Sequence, residues 1–350
     1  MNINNLPSEP TLAEKSKASK PKVSVVIPVY NAGKFLRPCL DTLVNQTLRD
    51  IEFICILDCP TDSSDKIVEE YAAKDNRFVV IRNKRNLHIG ESRNVGIRAA
   101  RGEYIGFSDH DDTHELVMYE KLYYQASNSS KDVVLSGTLA SVLSQKRHVK
   151  SNDIVVDWAM AIFLHKALQV TTNLYKRNFL IDNNIYFDDT KQFNIEDGFF
   201  NLRVLCKIQK TDNIAIVNRY FYNRVLHDCN TSSNPEHRSS QKTVCFLSKT
   251  YDLLKNGQSR LSPDICDYGM SQLTVRGMYT QFREDFKNRG LKQSLSKIEQ
   301  VFNSNAFLMD TLENTSIFIS HIPPTKRAFL LLLKLRLFFN RTKQQQQHQQ

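Results

Sequence analysis

The sequence lacks any stretch approaching about 20 apolar residues, the length that a helix needs to cross a bilayer. It also lacks a Cys-x-x-Cys pair, and its seven cysteines are scattered and odd in number, which argues against a disulfide ladder or a zinc cluster. The first 22 residues are polar and contain no apolar core of the kind found in secretory signals. These absences together predict a reducing, cytoplasmic location.

The remaining composition is that of a globular protein. The chain has 350 residues, 41% of them hydrophobic, which is enough to bury a large core. Its net charge is +10 and its pI is about 9.2. Such a charge suits nucleic acid, an anionic membrane surface or a small anionic substrate as the partner. The positions of the charges must therefore distinguish these partners.

Positive charge is concentrated at the carboxyl-terminal end. From residue 326 onward the chain has six Lys or Arg and no acid, mixed with many Leu and Phe residues. Such a helix is too charged to span a membrane, but residues 326–343 suit the interface of an anionic bilayer. The alternative is that this helix packs on the domain or on a second copy of the chain. The Gln-rich end after Lys343 is predicted to be disordered.

Apolar runs and helix-like segments alternate through the first 140 residues. The apolar runs are residues 23–30, 51–57, 78–81 and 104–107. The helix-like segments are residues 34–46, 62–74 and 89–100. Apolar strands without polar alternation are buried on both faces, which is typical of parallel sheets. The pattern therefore predicts a three-layer α/β domain with a mainly parallel sheet.

Ligands of such sheets bind beyond the carboxyl ends of the strands, so the residues after each strand are site candidates. After the first strand, Asn31 and Gly33 allow a tight turn that brings the backbone close to a ligand. After the second strand, Asp58 is placed to accept a hydrogen bond from an N–H group of a base. Thr61 or Asp62 is expected to serve as a helix N-cap in the same turn.

Charged residues also follow the third and fourth strands. Residues 86–94 open a helix with a cation that can reach a phosphate or hold an acidic loop. An extended backbone points every second side chain the same way, so Asp109 and Asp111 can converge on one hard cation. This pattern predicts an Asp-x-Asp site for a metal and a diphosphate. The alternative is a solvated turn whose acids cap a helix starting near His114.

Five spaced segments resemble the inverting glycosyltransferases of family 2, which have the GT-A fold. In family order and at family spacing, these segments are residues 24–31, 57–64, 86–94, 99–105 and 109–112. The resemblance covers the chain from residue 22 to about residue 230. The chain is thereby divided into a flexible lead over residues 1–21, a GT-A domain over residues 22–230, a helical extension over residues 231–325, and a basic apolar helix with a Gln-rich tail over residues 326–350.

The resemblance also implies which residues bind the nucleotide-sugar donor. Leu57 and Cys59 stand where the family usually has an acid and a glycine, so Asp58 remains as the one carboxylate for recognising a base, with uridine implied. His110 replaces a small residue and can touch phosphate, ligate metal or point away. The implied donor-binding residues are Pro28, Tyr30, Asn31, Asp58, Arg93, Asn94, Asp109, His110, Asp111 and Arg224.

The second half supplies a candidate general base, which transfer to an alcohol requires. Residues 194–200 resemble the family's Glu-Asp motif. By this resemblance, Asp197 is the base and Glu196 holds an acceptor hydroxyl or orients the site. The alternative, which is compatible with those roles, is that the two acids begin a helix. Trp158 and Tyr175 resemble residues of the family's pocket, where aromatic rings stack on sugars or fill the core.

A divalent metal is implied as well. By the resemblance, Mn²⁺ or Mg²⁺ is bound by Asp109 and Asp111, where it bridges the donor phosphates. His227 is a third candidate ligand, and either it or Arg224 can neutralise the leaving diphosphate. A lone histidine is more often structural.

The function implied is transfer of a sugar, with inversion, from a nucleotide-diphosphate donor to a hydroxyl of a glycan or lipid-linked acceptor. A bacterial enzyme of surface polysaccharide synthesis, peripheral on the inner face of the cell membrane, is the expected context. One alternative is a sugar nucleotidyltransferase, although residues 31–34 make a poor phosphate loop. The other is a non-catalytic basic protein that binds nucleotides or nucleic acid. Nucleic acid is not expected as a partner, because acidic clusters repel phosphates.

Overall fold

The computed structural model describes ten parts of the chain, which leave out most of the predicted flexible lead. The described residues are 20–128, 130–137, 154–163, 169–189, 195–208, 210–225, 227, 239–255, 261–316 and 323–347.

A seven-stranded sheet forms the centre of the described fold, and a two-stranded ribbon lies beside it. The strands in chain order are β1 (Val23–Val29), β2 (Ile51–Leu57), β3 (Phe78–Arg82), β4 (Tyr104–Phe107), β5 (Thr113–His114), β6 (Val133–Ser136), β7 (Leu174–Lys176), β8 (Ile214–Val217) and β9 (Tyr222–Asn223). The order in the large sheet is β3-β2-β1-β4-β7-β6-β8, and β5 pairs with β9. Strand β7 runs antiparallel to β4 and β6, whereas the other pairs of the large sheet are parallel.

The parallel half of the sheet confirms the predicted strands to within one residue at each end. Strand β1 pairs with both β2 and β4, so that Val23 lies opposite Ile51 on one side and Tyr104 on the other. All residues of β1, β2 and β4 are buried, as continuous apolar runs predict. The carboxyl ends of these three strands therefore meet at one edge of the sheet.

Helices cover both faces of the sheet. Those of the sheet-bearing part are α1 (Leu36–Val44), α2 (Ser64–Lys74), α3 (His88–Ala99), α4 (Met118–Ser127), α5 (Ile154–Phe163), α6 (Arg177–Asp182) and α7 (Glu196–Lys207). Val25 of β1 belongs to the core cluster shared with α1, α2 and α4, whereas Val26 belongs to the cluster shared with α3, α5 and α7. The predicted three-layer α/β class is thus confirmed.

Helix α3 packs unusually close to β1. A Cβ built on Gly96 would lie 2.2 Å from Cγ1 of Val26, closer than two carbon atoms can approach without bonding. Gly96 therefore sets how deeply α3 sits on the sheet. This depth matters because α3 also carries Arg93.

The carboxyl-terminal part is helical wherever it is described. Its helices are α8 (Ser240–Lys255), α9 (Pro263–Asn303), α10 (Ala306–Asn314) and α11 (Pro324–Gln347). Helix α9 is kinked at Gly290, whose φ of 74° is left-handed. None of the helices in the described ranges is long and apolar enough to cross a membrane.

Helix α11 packs one face on the rest of the protein. Its residues Phe329, Leu330, Leu333 and Leu337 are buried, and the Phe329 ring contacts the rings of two aromatic residues of α9. The alternative interpretation, in which this helix packs on the protein, is therefore observed for this face. The predicted disorder after Lys343 is wrong for residues 344–347, which continue the helix because Gln is a good helix former and no Gly or Pro interrupts it.

Candidate active site at the carboxyl ends of the strands

Arg93 joins the two acidic segments that the sequence singled out. It lies on α3, and its side chain is only 2% exposed. Its Nη1 donates to Oδ1 of Asp197 at 2.6 Å, and its Nη2 donates to Oδ1 of Asp109 at 2.9 Å. Its guanidinium also lies over the ring of Phe187, 5.1 Å from the centroid. The acid after β4 and the acid at the start of α7 therefore share one buried cation.

Burial dominates the electrostatics of this group. Burial raises the pKa of Asp197 to about 7, although Arg93 opposes the rise and Glu196 and Asp109 add to it. Burial alone would lower the pKa of Arg93, but the two neighbouring carboxylates outweigh it and raise this pKa, so the guanidinium stays charged. Asp197 is thus a carboxylate that can exchange a proton near neutral pH.

The backbone is strained immediately before the Glu-Asp pair. Ile195 precedes α7 with φ 63° and ψ 40°, a left-handed conformation that is costly for a β-branched residue. Glu196 and Asp197 then form the first turn of α7, as the alternative interpretation of the motif predicted. Such strain is common at functional sites. Here the left-handed Ile195 fixes how α7 begins, and with it the direction in which the Asp197 side chain projects from the helix.

Asp111 contacts His227, which follows β9 in the chain. His227 Nε2 lies 2.9 Å from Oδ2 of Asp111. The His227 ring stacks on Phe35, with the centroids 4.0 Å apart and the planes 15° from parallel. Two of the three predicted metal ligands are therefore adjacent, and the third, Asp109, lies two residues away in sequence.

Asp112 anchors the acidic loop, which the sequence analysis did not foresee. Its buried carboxylate accepts from the backbone N–H of Val225 at 2.7 Å and from the hydroxyl of Tyr222. The backbone N–H of Asp109 donates to the same Tyr222 oxygen at 3.2 Å. These bonds hold the loop against β9. The alternative interpretation placed the start of a helix near His114. His114 instead lies in β5, four residues before α4 begins.

His110 connects the acidic loop to the end of β1. Its Nδ1 donates to the carbonyl oxygen of Pro28 at 3.0 Å. This contact orders the loop, and the three alternatives for His110, namely phosphate contact, metal ligation or pointing away, stay predictions.

The loop after β2 is tied to the loop after β3 through Asp58. This buried carboxylate accepts from Asn83 Nδ2 and from the backbone N–H of Leu87, both at 2.7 Å and both on Oδ1. Its Oδ2 receives no hydrogen bond from any described residue. That oxygen remains available for a ligand N–H, as the sequence predicted.

The loop after β1 is held by the turn after β2. Asn31 Oδ1 accepts from the backbone N–H of Thr61 at 2.7 Å, and Asp62 Oδ2 accepts from that of Gly33 at 2.9 Å. Asp62 Oδ1 also accepts from the first N–H group of α2 at 3.0 Å. The N-cap residue of α2 is nevertheless Ser63, so the expectation that Thr61 or Asp62 occupies this position is wrong. Asn31 and Gly33 have φ values of 48° and 53°, so the predicted tight turn is present.

Comparison with known proteins supplies a family for part of the chain. Residues 24–192 match the model of glycosyl transferase family 2. Over 192 residues the chain is 35% identical to the uncharacterized glycosyltransferase EpsJ of Bacillus subtilis, with 52% of this chain and 55% of EpsJ covered. The chain thus spans about half the length of this curated relative.

Two further comparisons extend this result. Over 209 residues the chain is 32% identical to the poly(ribitol-phosphate) beta-glucosyltransferase of Bacillus spizizenii, covering 57% of this chain and 32% of that protein. The fold resembles that of S. aureus TarS 1–349 in complex with UDP-GlcNAc, with a TM-score of 0.66, 20% identity, and 91% and 89% of the two chains covered. At this identity the likeness shows the fold alone, which is GT-A.

Some predicted donor-binding residues make contacts inside the protein. Asn94 is buried, and its Oδ1 and Nδ2 bond to the backbone N–H and carbonyl of Phe187 at 2.8 and 2.9 Å. It thereby places Phe187 beneath Arg93, and its contact with the donor stays a prediction. Tyr30 and Arg224 are exposed beside the site, and their roles likewise stay predictions.

Trp158 and Tyr175 belong to the core. Both are fully buried, Trp158 in α5 and Tyr175 in β7, where its hydroxyl donates to Oδ1 of Asn201 at 2.6 Å. Of the two alternatives for these rings, core packing is observed and a sugar platform is not.

The acidic loop has donors that suit a hard cation, although they do not form a closed cluster. Among the residues that the structure describes, no group of three or more His, Cys, Asp or Glu side chains could hold a metal ion. Arg93 and His227 each bond only one oxygen of Asp109 and Asp111, so a second oxygen of each carboxylate remains for a cation. Carboxylate donors suit Mn²⁺ and Mg²⁺. These two carboxylates can therefore hold a cation only together with ligands that a substrate supplies.

Proposed function

We propose that the protein is an inverting glycosyltransferase that moves a sugar from a nucleoside diphosphate donor to a hydroxyl of a glycan or lipid-linked acceptor. The observation that carries this proposal is the buried Arg93, which contacts both Asp109 and Asp197. It places a carboxylate with a raised pKa across from the Asp-x-Asp loop, at the edge of the sheet where GT-A ligands are expected. UDP is the proposed nucleotide, because Oδ2 of Asp58 can accept from the N–H of uracil.

In the proposed reaction Asp197 acts as the general base. Its carboxylate takes the proton of the acceptor hydroxyl while the hydroxyl oxygen forms a bond to the anomeric carbon of the donor. The bond between that carbon and the phosphate oxygen breaks, and the nucleoside diphosphate leaves with the electron pair. Attack from the face opposite the leaving group inverts the anomeric centre. Arg93 orients Asp197, and Glu196 is placed to hold the acceptor hydroxyl.

The leaving diphosphate requires positive charge. We assign Asp109, Asp111 and His227 as the residues that would hold Mn²⁺ or Mg²⁺. When bound, such an ion supplies charge that stabilises the departing diphosphate. Arg224, exposed and three residues before His227, is the proposed protein cation at the same phosphates.

The acceptor is proposed from the relatives and from chemistry. One relative is named for glucosylation of poly(ribitol-phosphate), which supports synthesis of a bacterial surface polymer as the context. The acceptor must offer an alcohol whose proton needs a base, which a glycan or a lipid-linked glycan does.

The test of this proposal begins with a screen of nucleotide sugars for hydrolysis in the presence of Mn²⁺. With the donor identified, Asp197→Asn should lower transfer by a factor of about 10² to 10⁴, since that is the typical contribution of a general base. The affinity for UDP should change little, because Asp197 lies on the acceptor side. The exposed Asp264 of α9 provides a matched control, and Asp264→Asn should transfer normally.

Thermal unfolding of Asp197→Asn shows whether the variant is folded. A folded variant that binds UDP and transfers sugar at the normal rate would remove Asp197 from its assigned role. If none of the nucleotide sugars is hydrolysed by the wild-type protein and UDP does not bind, the proposed function fails as a whole.

A further inference from the structure

Helix α11 has large apolar side chains on two opposite faces, and the residues that the structure describes cover only one. The covered face consists of Phe329, Leu330, Leu333 and Leu337. The other face, called the outer face below, consists of Leu331, Leu332 and Leu335, which are 43%, 45% and 45% exposed. A surface helix of a globular protein normally turns polar residues toward solvent. The outer face of α11 is therefore a candidate docking surface.

The outer face is one continuous stripe. Its residues recur at spacings of one, three and four positions, which places them side by side along about one and a half turns of helix. Contiguous exposed patches of large apolar side chains mark surfaces that bind proteins or membranes, whereas single exposed residues do not.

The charged residues of α11 itself are all positive. Residues 324–347 contain no acid. Arg327 is exposed one turn before Leu331. Lys334 and Arg336 flank the stripe but bond inside the protein: Lys334 Nζ donates to the carbonyl oxygen of Thr315 at 2.5 Å, and Arg336 Nε to Glu299 at 2.6 Å. These two bonds fix the rotation of α11, so that the stripe keeps facing outward.

Positive charge also gathers around the amino-terminal end of α11. Lys326 lies 5.7 Å from the ring centroid of Tyr279 on α9. Burial, and then the like charges of Arg276 and Arg283 on α9, lower the pKa of Lys326. The amino terminus of a helix itself carries partial positive charge. An anionic group bound here would relieve this repulsion.

We propose that the outer face of α11 docks the protein on an anionic lipid bilayer, with the helix lying in the plane of the interface. An interfacial helix inserts large apolar side chains among the acyl chains and places basic residues at the lipid phosphates. The outer face matches the first requirement, and Arg327 together with the basic amino-terminal end of α11 matches the second. A second copy of the chain would match only the apolar one, since two basic helices would face each other.

The proposal goes beyond the proposed function and does not rest on it, because lipid binding needs neither donor nor acceptor. The test uses the full chain and sedimentation with vesicles of phosphatidylglycerol and phosphatidylcholine, compared with vesicles of phosphatidylcholine alone. The wild-type protein should sediment with the anionic vesicles, and added salt should weaken this binding. Inorganic phosphate should weaken it no more than chloride at equal ionic strength, because a bilayer and not a free phosphate is the ligand.

The paired substitution Leu331→Glu and Leu335→Glu should reduce binding to anionic vesicles at least about tenfold, because it places two acids in the apolar contact. Both residues are about half exposed, so the variant should unfold at the normal temperature. Leu116→Glu is the matched control, since Leu116 is 48% exposed and lies outside α11, and it should bind as the wild type does.

Three outcomes would overturn the proposal. The first is a wild-type protein that binds neither vesicle, or both equally. The second is a folded Leu331→Glu and Leu335→Glu variant with unchanged binding. The third is a wild-type protein that light scattering shows to be an oligomer, that does not bind vesicles, and that the paired substitution converts to a monomer; the outer face would then be covered by a second copy.

Discussion

Replacing Arg93 with lysine tests whether this residue controls the proton affinity of Asp197. The guanidinium holds two carboxylates at once, 2.6 and 2.9 Å from its two terminal nitrogens. The compact ammonium group of a lysine has no such fork and can approach only one of them closely. Arg93→Lys therefore keeps the charge but breaks the bridge.

The structure sets the size of the effect. Breaking a buried ion pair costs about 3 to 5 kcal/mol, but Asp109 and Asp197 are 33% and 22% exposed and one contact can persist, so we expect about 2 kcal/mol of lost stability. Two unit charges about 4 Å apart interact by about 4 kcal/mol at an effective dielectric constant of about 20. If the lysine restores most of this energy, the pKa of Asp197 rises by about one unit, or about 1.4 kcal/mol.

The sign of the pH effect follows from the charge of the base. Arg93 lowers the pKa of Asp197, so weakening their contact raises that pKa further above its present value of about 7. Since only the ionised carboxylate can take a proton, activity is lost as the pH falls through this pKa. The acid side of the pH profile of kcat/KM should therefore move upward by about one pH unit in Arg93→Lys.

The assay is donor hydrolysis or transfer measured across the acid side of the profile, together with thermal unfolding. Arg77→Lys is the matched control, because the mostly buried Arg77 pairs with Asp75 through Nε and Nη2 and lies before β3, outside the site. This control should lose stability and keep the wild-type pH profile. An Arg93→Lys profile that overlies the wild-type profile would refute the assignment of Arg93 as a positioning residue for Asp197.

Two more predictions concern the metal and the packing of α3. Asp111→Ala should abolish the increase in UDP affinity that Mn²⁺ gives the wild-type protein in titration calorimetry, whereas Asp264→Ala should keep it; an unchanged Mn²⁺ effect in Asp111→Ala would exclude Asp111 as a ligand. Gly96→Ala should cost about 2 kcal/mol or more in denaturant unfolding, because its Cβ meets Val26 of the core at 2.2 Å. Gly277→Ala should cost less, since its Cβ meets a Thr243 methyl group at 2.9 Å and otherwise only Leu247 Cδ1 at an ordinary 3.8 Å; equal costs would contradict this.

The sequence alone was sufficient for the parallel half of the sheet. Strands β2 and β4 have the predicted bounds, because a strand buried on both faces must be apolar at every position and such runs end abruptly at polar residues. That an acid of the turn bonds to the start of α2 was also predictable, since the bond joins atoms two residues apart, although the N-cap residue itself is Ser63. Signals of this kind are local.

The contacts that build the site could not be predicted in the same way. Arg93 was recognised as a cation that could hold an acidic loop, but nothing in its neighbours shows that it also reaches Asp197, which lies on another helix. Asn94 illustrates the converse, because it stands beside Arg93 in the motif and yet bonds to the backbone of Phe187. Asp112 belongs to the same acidic cluster as Asp109 and Asp111, but the Asp-x-Asp pattern assigns a function only to those two residues.

The bridge through Arg93 also bears on how the two halves of the proposed reaction communicate. Asp109 belongs to the loop that would receive the diphosphate, and Asp197 belongs to the helix that would receive the acceptor. Any ligand that draws Asp109 away from Arg93 leaves the guanidinium with Asp197 as its remaining carboxylate. The stronger pairing lowers the pKa of Asp197 and increases the ionised fraction of the base. Filling the donor side would thus prepare the acceptor side, through one side chain that touches both.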